Sequence, residues 1–304
     1  MDYNKYDYVG GSVGICNDGS RYVVGAPGMA LQVHSRFGYI DENLVYDGCV
    51  YAFYNNTVQK IKAPHKVTTS DKRDRFGVCC RISGDGSTLA LGSYNAKRVY
   101  IYKFNKDAYE LAYEITPVKN DFMFGYNLWM SADGNHVIVG APEPRLDGEV
   151  YHYINGNFAH SISPIEPDKS YKKTKHYGRS IWLSDDAQTL MIGCTGNSTV
   201  YEYAYVKGEW IQTDLIRTLC KSISRCGDDY VIGDGSVKIR HGYSVEGSFK
   251  DYEDWFGYSV DIFPSGNILV GSPLANNFKG KYQILTPDEA ATAGLYLHPQ
   301  HCTL

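Results

Sequence analysis

The chain has 304 residues, 43% hydrophobic and 21% charged, which is material for a large core and too apolar for a disordered chain. Its 30 basic and 34 acidic residues leave a net charge of -4, so composition offers no general attraction to nucleic acid or anionic lipid. No apolar run approaches the ~18–20 residues that span a bilayer, and Met1-Asp2-Tyr3-Asn4-Lys5 is unlike a signal peptide, so neither membrane insertion nor export is expected.

The 27 tyrosines and 31 glycines favour pleated strands and tight turns over long helices. In chain order, the first unit opens at Val9-Gly10-Gly11-Ser12-Val13, turns at Asp18-Gly19 and closes an apolar run on Val23-Val24-Gly25, fifteen residues after Gly10. Cys49-Val50-Tyr51-Ala52-Phe53 then alternates with period two, the mark of a strand, and Val58 to Ile61 extends further. The second unit repeats this as Phe76-Gly77-Val78, Asp85-Gly86, Ala90-Leu91-Gly92 and Val99-Tyr100-Ile101-Tyr102. The third has Phe124-Gly125-Tyr126-Asn127-Leu128, Asp133-Gly134, Ile138-Val139-Gly140 and Val150-Tyr151-His152-Tyr153. The fourth has Tyr177-Gly178-Arg179-Ser180-Ile181, Asp185-Asp186, Met191-Ile192-Gly193 and Val200-Tyr201-Glu202-Tyr203.

A fifth, worn unit puts Cys220 where the first glycine stands elsewhere, then Val231-Ile232-Gly233 and Val237-Lys238-Ile239-Arg240. The sixth has Phe256-Gly257-Tyr258-Ser259-Val260, Ser265-Gly266, Leu269-Val270-Gly271 and Tyr282-Gln283-Ile284. Units therefore start near residues 8, 75, 123, 176, 218 and 255, and 286–304 is a tail or closing strand. Four strands in ~40–50 residues is the size of a propeller blade. The expected fold is all-β, one β-propeller domain over 1–304 with six four-stranded antiparallel blades. A seventh blade assembled from Met1 to Tyr8 and Leu295 to Leu304 is the alternative.

Phe-Gly before an Asp-Gly turn, Val24-Gly25-Ala26-Pro27, Val139-Gly140-Ala141-Pro142, Gly48-Cys49-Val50-Tyr51 and Gly148-Glu149-Val150-Tyr151 together resemble the FG-GAP repeat. That repeat builds the propeller of integrin α subunits and of bacterial and viral surface proteins, and the resemblance covers roughly residues 8 to 285. It implies a ligand face made by the connections between strands two and three and between successive blades. It also brings a calcium loop of D-x-D-x-D-G type, from which this chain departs: its first hairpins carry one Asp each, at Asp18, Asp85 and Asp133. A lone carboxylate gives a hard cation too few oxygens, so no metal is expected there. Asp41-Glu42-Asn43 with Asp47 is the one oxygen-rich cluster, in an inserted loop.

No motif carries catalytic chemistry. Gly10-Gly11-Ser12-Val13-Gly14 has nucleophile spacing but lacks the strand-to-helix turn that exposes such a serine. The eight cysteines contain no CxxC pair, and His298-Pro299-Gln300-His301-Cys302 stands alone in the tail, so no cofactor is expected. Asn55-Asn56-Thr57 and Asn197-Ser198-Thr199 match glycosylation sequons, which matter only in a secretory pathway.

The loops say more. In antiparallel blades the 2–3 and 4–1 connections emerge at one end and the 1–2 and 3–4 connections at the other. The 2–3 connection of blade one runs about twenty residues, Gly28 to Asp47, and carries Arg36, Phe37, Tyr39 and Tyr46, an interface composition that would equally suit a self-packed flap. The 4–1 connection into blade four is basic, with Lys172 and Lys173, and the one into blade six is acidic and aromatic, with Tyr252 and Trp255. These eight residues are the candidate partner-binding set. The expected function is a non-catalytic binding or adhesion module for protein partners. A structural role in a large assembly such as a virion or capsid, or an intracellular assembly, is the first alternative, and an enzyme with its site in the central channel is the second.

Overall fold

Twenty-three strands and no helix make up the described part of the chain. The computed structural model describes residues 9–28, 48–65, 74–143, 147–165, 176–226, 229–233, 237–241, 244–249, 259–262, 268–272 and 281–286. The strands form six antiparallel sheets, each a meander in chain order. Sheet one holds β1 (Ser12–Ile15), β2 (Arg21–Ala26), β3 (Cys49–Tyr54) and β4 (Thr57–Lys62). Sheet two holds β5 (Cys80–Ile82), β6 (Thr88–Ser93), β7 (Arg98–Asn105) and β8 (Ala108–Ile115). Sheet three holds β9 (Asn127–Met130), β10 (His136–Ala141), β11 (Glu149–Ile154) and β12 (Asn157–Ile162). Sheet four holds β13 (Tyr177–Leu183), β14 (Thr189–Cys194), β15 (Thr199–Val206) and β16 (Glu209–Arg217). Sheet five holds β17 (Ser222–Cys226), β18 (Asp229–Gly233), β19 (Val237–His241) and β20 (Ser244–Phe249). Sheet six, with three strands among the described residues, holds β21 (Ser259–Ile262), β22 (Ile268–Ser272) and β23 (Lys281–Leu285). The segments Met1 to Tyr8 and Leu295 to Leu304, offered for a seventh blade, lie outside the described residues.

In the first three units the closing glycine of the second strand permits close approach between neighbouring sheets. A Cβ on Gly25, Gly92 or Gly140 would sit 2.2, 2.3 or 2.4 Å from the carbonyl oxygen of Gly77, Gly125 or Gly178 in the next sheet. Those three carbonyls are aimed inward by φ of +82°, +85° and +84°, a region open to glycine and strained for residues with a Cβ. At the fifth unit Cys220 replaces the glycine, and its Sγ lies 3.2 Å from Ser180 Oγ beside Gly193. There the Cys220 thiol, not a backbone carbonyl, is the group of the next sheet nearest Gly193.

Aromatic residues before these glycines fill the spaces between sheets. Phe76, Phe124 and Tyr177 are fully buried, each in a cluster drawn from two successive sheets. Phe76 meets the Tyr100 ring edge-on at 5.5 Å, and the Tyr177 and Tyr203 hydroxyls bond at 2.7 Å. Burial of such side chains stabilises by about 1.5–3 kcal/mol each. The hydrophobic core thus lies as slabs between sheets, which is why the third strands alternate apolar and aromatic residues with both faces covered.

Candidate functional site

The first strand of each sheet lies innermost, and together these strands line one axial channel. Residues from all six sheets bound a cavity of about 90 Å³, among them Ser12, Arg81, Asn127, Arg179, Lys221 and Ser259. Strand register orders them: Ser12, Asn127, Ser180, Ser222 and Ser259 pair with the second-strand glycines. Arg179 and Lys221 stand one residue before that level and Arg81 two residues beyond its counterpart, Cys79, whose carbonyl receives Gly92 N–H.

The serines and asparagine are absorbed by the framework. Ser12 Oγ donates to Gly77 O at 3.2 Å and lies 3.0 Å from Cys80 Sγ. Asn127 Nδ2 donates to Arg179 O at 2.9 Å. The Ser12 motif that has nucleophile spacing is therefore an inter-sheet clasp. The cations are held differently. Arg81 donates from Nη1 to Val13 O and Cys80 O, both at 3.0 Å, and its guanidinium lies 4.1 Å above the Trp129 ring. Its Nε is buried with no hydrogen-bond partner. The Arg179 guanidinium lies 4.8 Å over the Tyr126 ring. Neither these arginines nor Lys221 has a carboxylate partner among the described residues, whereas Arg225 pairs with Glu202 at 2.7 Å and Lys119 with Glu149 at 3.3 Å. Asp261 occupies the register of Arg81 in sheet six, with its side chain outside the described set.

The two ends of the molecule differ. At one end the 1–2 hairpins are knitted by backbone bonds, Asn17 N to Gly84 O, Gly84 N to Ala132 O and Ala132 N to Asp185 O. The lone aspartates there anchor the turns: Asp85 Oδ1 accepts from Ser83 Oγ at 2.6 Å and Ser87 N at 2.9 Å. Burial raises the Asp85 pKa, but these bonds outweigh it and hold the carboxyl below its usual range. Asp18, bonded to Ser20 and Cys16, is lowered to about 2. Among the described residues no group of three or more His, Cys, Asp and Glu is placed to hold a metal ion.

At the opposite end the 2–3 and 4–1 connections meet, as Lys97 between β6 and β7 shows by lying 4.7 Å over the Phe122 ring between β8 and β9. Phe122, Ile165 and Val118 are 72%, 70% and 51% exposed, the three most exposed large apolar side chains among the described residues, and all sit in 4–1 connections. Of the sequence-derived set, Arg36, Phe37, Tyr39, Tyr46, Lys172, Lys173, Tyr252 and Trp255 lie outside the described residues, as does the Asp41 to Asp47 cluster. Sequence reasoning missed Phe122 and Ile165, whose signal was an apolar residue in a polar connection. It also missed the channel cations, which occupy first-strand positions where the repeat is not constant.

A histidine ladder between sheets three and four was likewise missed. His136, His152 and His160 stack on one face, with centroids 5.1 and 5.5 Å apart and Tyr205 and Trp210 of sheet four against them. Trp210 Nε1 can only donate, and it gives its hydrogen to His152 Nδ1 at 3.1 Å. His152 therefore carries its proton on Nε2 and donates to His136 Nδ1 at 2.9 Å. Burial, with repulsion from His136 and His160, pushes the His152 pKa down to about 3.

Antiparallel meanders packed radially around an axial channel define a β-propeller. Solved structures agree: the chain is similar to the Cps50 (Swd1) β-propeller domain of Myceliophteria thermophila, with TM-score 0.60 and 8% identity over 91% of this chain and 82% of that one. Saccharomyces cerevisiae Sqt1 gives TM-score 0.52 and 11% identity over 93% and 87%. A chain of a mitotic checkpoint complex gives 0.53 and 13% over 90% and 77%. At these identities the likeness is one of fold. No protein-family model matches the chain, and a search of curated proteins finds no similar sequence.

Proposed function

We propose that the chain is a non-catalytic protein-binding propeller of FG-GAP type whose working surface is the end formed by the 2–3 and 4–1 connections. The observation that carries this is the placement of Phe122, Ile165 and Val118, the three most exposed large apolar side chains among the described residues, in 4–1 connections at that end, ahead of Ile15 and Tyr22 beside the knitted hairpins opposite. From their chain positions in 2–3 and 4–1 connections, the proposal assigns Arg36, Phe37, Tyr39, Tyr46, Lys172, Lys173, Tyr252 and Trp255 to the same surface. The similar chain in a mitotic checkpoint complex is a propeller-like fold at work in an assembly, which supports the reading by analogy. The FG-GAP reading is supported by the role of its motif glycines, which admit the neighbouring sheet's carbonyls.

Hydroxyl-radical footprinting of the natively isolated protein against the chain alone tests this. Protection of Phe122, Ile165 and Val118 with unchanged labelling of Phe158 and Val206 is the expected result. Protection confined to Phe158 and Val206, which lie beside 3–4 turns at the opposite end, would refute it. A buried Phe122 anchor implies that Phe122→Ala weakens partner binding by about 2 kcal/mol while Asn157→Ala, at the start of β12 beside the 3–4 turn, leaves it unchanged.

A further inference from the structure

We infer that the axial channel is a binding site for a small oxyanion, held by Arg81, Arg179 and Lys221. The observations are independent of the partner-binding end. Three cationic side chains from three different sheets line one cavity in a chain whose net charge is -4, and none has a carboxylate partner among the described residues. Like charges brought together in a partly desolvated channel repel, and an anion offsets that repulsion. The cavity of about 90 Å³ exceeds the ~30 Å³ share of one water and is far below the ~300 Å³ of an ordinary small-molecule site, so it suits a group of a few heavy atoms.

The geometry favours an anion over a neutral guest. Arg81 starts three register positions, about 10 Å, further along its strand than Arg179 and Lys221 do along theirs. Its Nη1 folds back to the carbonyls of Val13 and Cys80, one position nearer the other two cations. Cation–π contacts with Trp129 and Tyr126, at 4.1 and 4.8 Å, hold the two guanidinium groups beside the cavity. The serines and amide of the lining are already bonded to the framework. Guanidinium edges and an ammonium together match phosphate or carboxylate oxygens. The oxyanion is either a free tetrahedral ion or the carboxylate of an inserted side chain.

Titration calorimetry of the purified chain, with inorganic phosphate and acetate as separate probes at constant ionic strength in chloride, tests the inference. Saturable binding of phosphate or of acetate is expected, the tighter one identifying a free tetrahedral ion or a carboxylate as the natural guest. Arg179→Gln combined with Lys221→Gln should weaken it by at least about tenfold, the scale of losing charge-assisted hydrogen bonds. Arg81→Gln removes framework bonds as well, so the double variant, checked for unchanged circular dichroism, is decisive. If that variant loses its fold, Lys221→Gln alone, with no framework bond to lose, should still weaken binding severalfold. Binding absent for both probes, or equal in the parent and the folded variant, would overturn the inference.

Discussion

Acidification should destabilise the protein through His152. The residue is fully buried, and Trp210 N–H occupies the Nδ1 lone pair that a second proton would need. In the unfolded chain a histidine takes up its proton near pH 6.5, whereas in the folded chain His152 does so only near pH 3. A folded pKa below the unfolded one contributes stability that is complete above about pH 6.5 and is lost as the pH falls towards about 3. With those two values, the loss between pH 7.5 and pH 5 is about 2 kcal/mol from this one group. The assay is denaturant unfolding at both pH values for the parent and His152→Gln, whose amide can accept from Trp210 and does not titrate. The parent should lose about 2 kcal/mol more than the variant, or about 3 °C in thermal midpoint for a chain of this size. Equal losses would refute the reasoning, as would an NMR titration in which the His152 ring protonates in the folded state near pH 6.

Two further outcomes follow from the packing. Gly92→Ala should destabilise by about 2–3 kcal/mol, because its Cβ would meet the Gly125 carbonyl at 2.3 Å, while Gly14→Ala, whose Cβ would meet nothing nearer than 3.4 Å, should cost under about 1 kcal/mol by urea unfolding. Asp85→Ala should cost about 1 kcal/mol at neutral pH by losing the Ser83 and Ser87 bonds. Because the Asp85 pKa is lowered on folding, that contribution is present above its ordinary carboxylate range and fades as pH falls below it, so parent and variant should converge in acid.

The strands and their order were legible in the chain because they rest on local rules. Alternation at Val99 to Tyr102 or Val150 to Tyr153 declares a strand whatever lies beside it, and Asp-Gly pairs declare the hairpins. Even the fifth unit's Cys220 was visible as a departure, though only packing against Ser180 gives the thiol its role. The direction of the 2–3 and 4–1 connections followed from counting antiparallel strands, so the end proposed as the working surface was readable while the exposure of Phe122 and Ile165 was not.

What only the tertiary structure decided are the encounters between sheets. Arg81, Arg179 and Lys221 belong to three repeats and share no motif, and the radial packing of the sheets alone brings them to one channel. His152 looked like one more residue of an alternating strand until Trp210, 58 positions later in another sheet, supplied the donor that fixes its proton. A repeat records the contacts every unit makes with its neighbour, so glycines and aromatics at constant spacing reveal the fold. Contacts made once, between side chains at positions free to vary, leave no period in the sequence, and they set the channel's charge and the surroundings of His152.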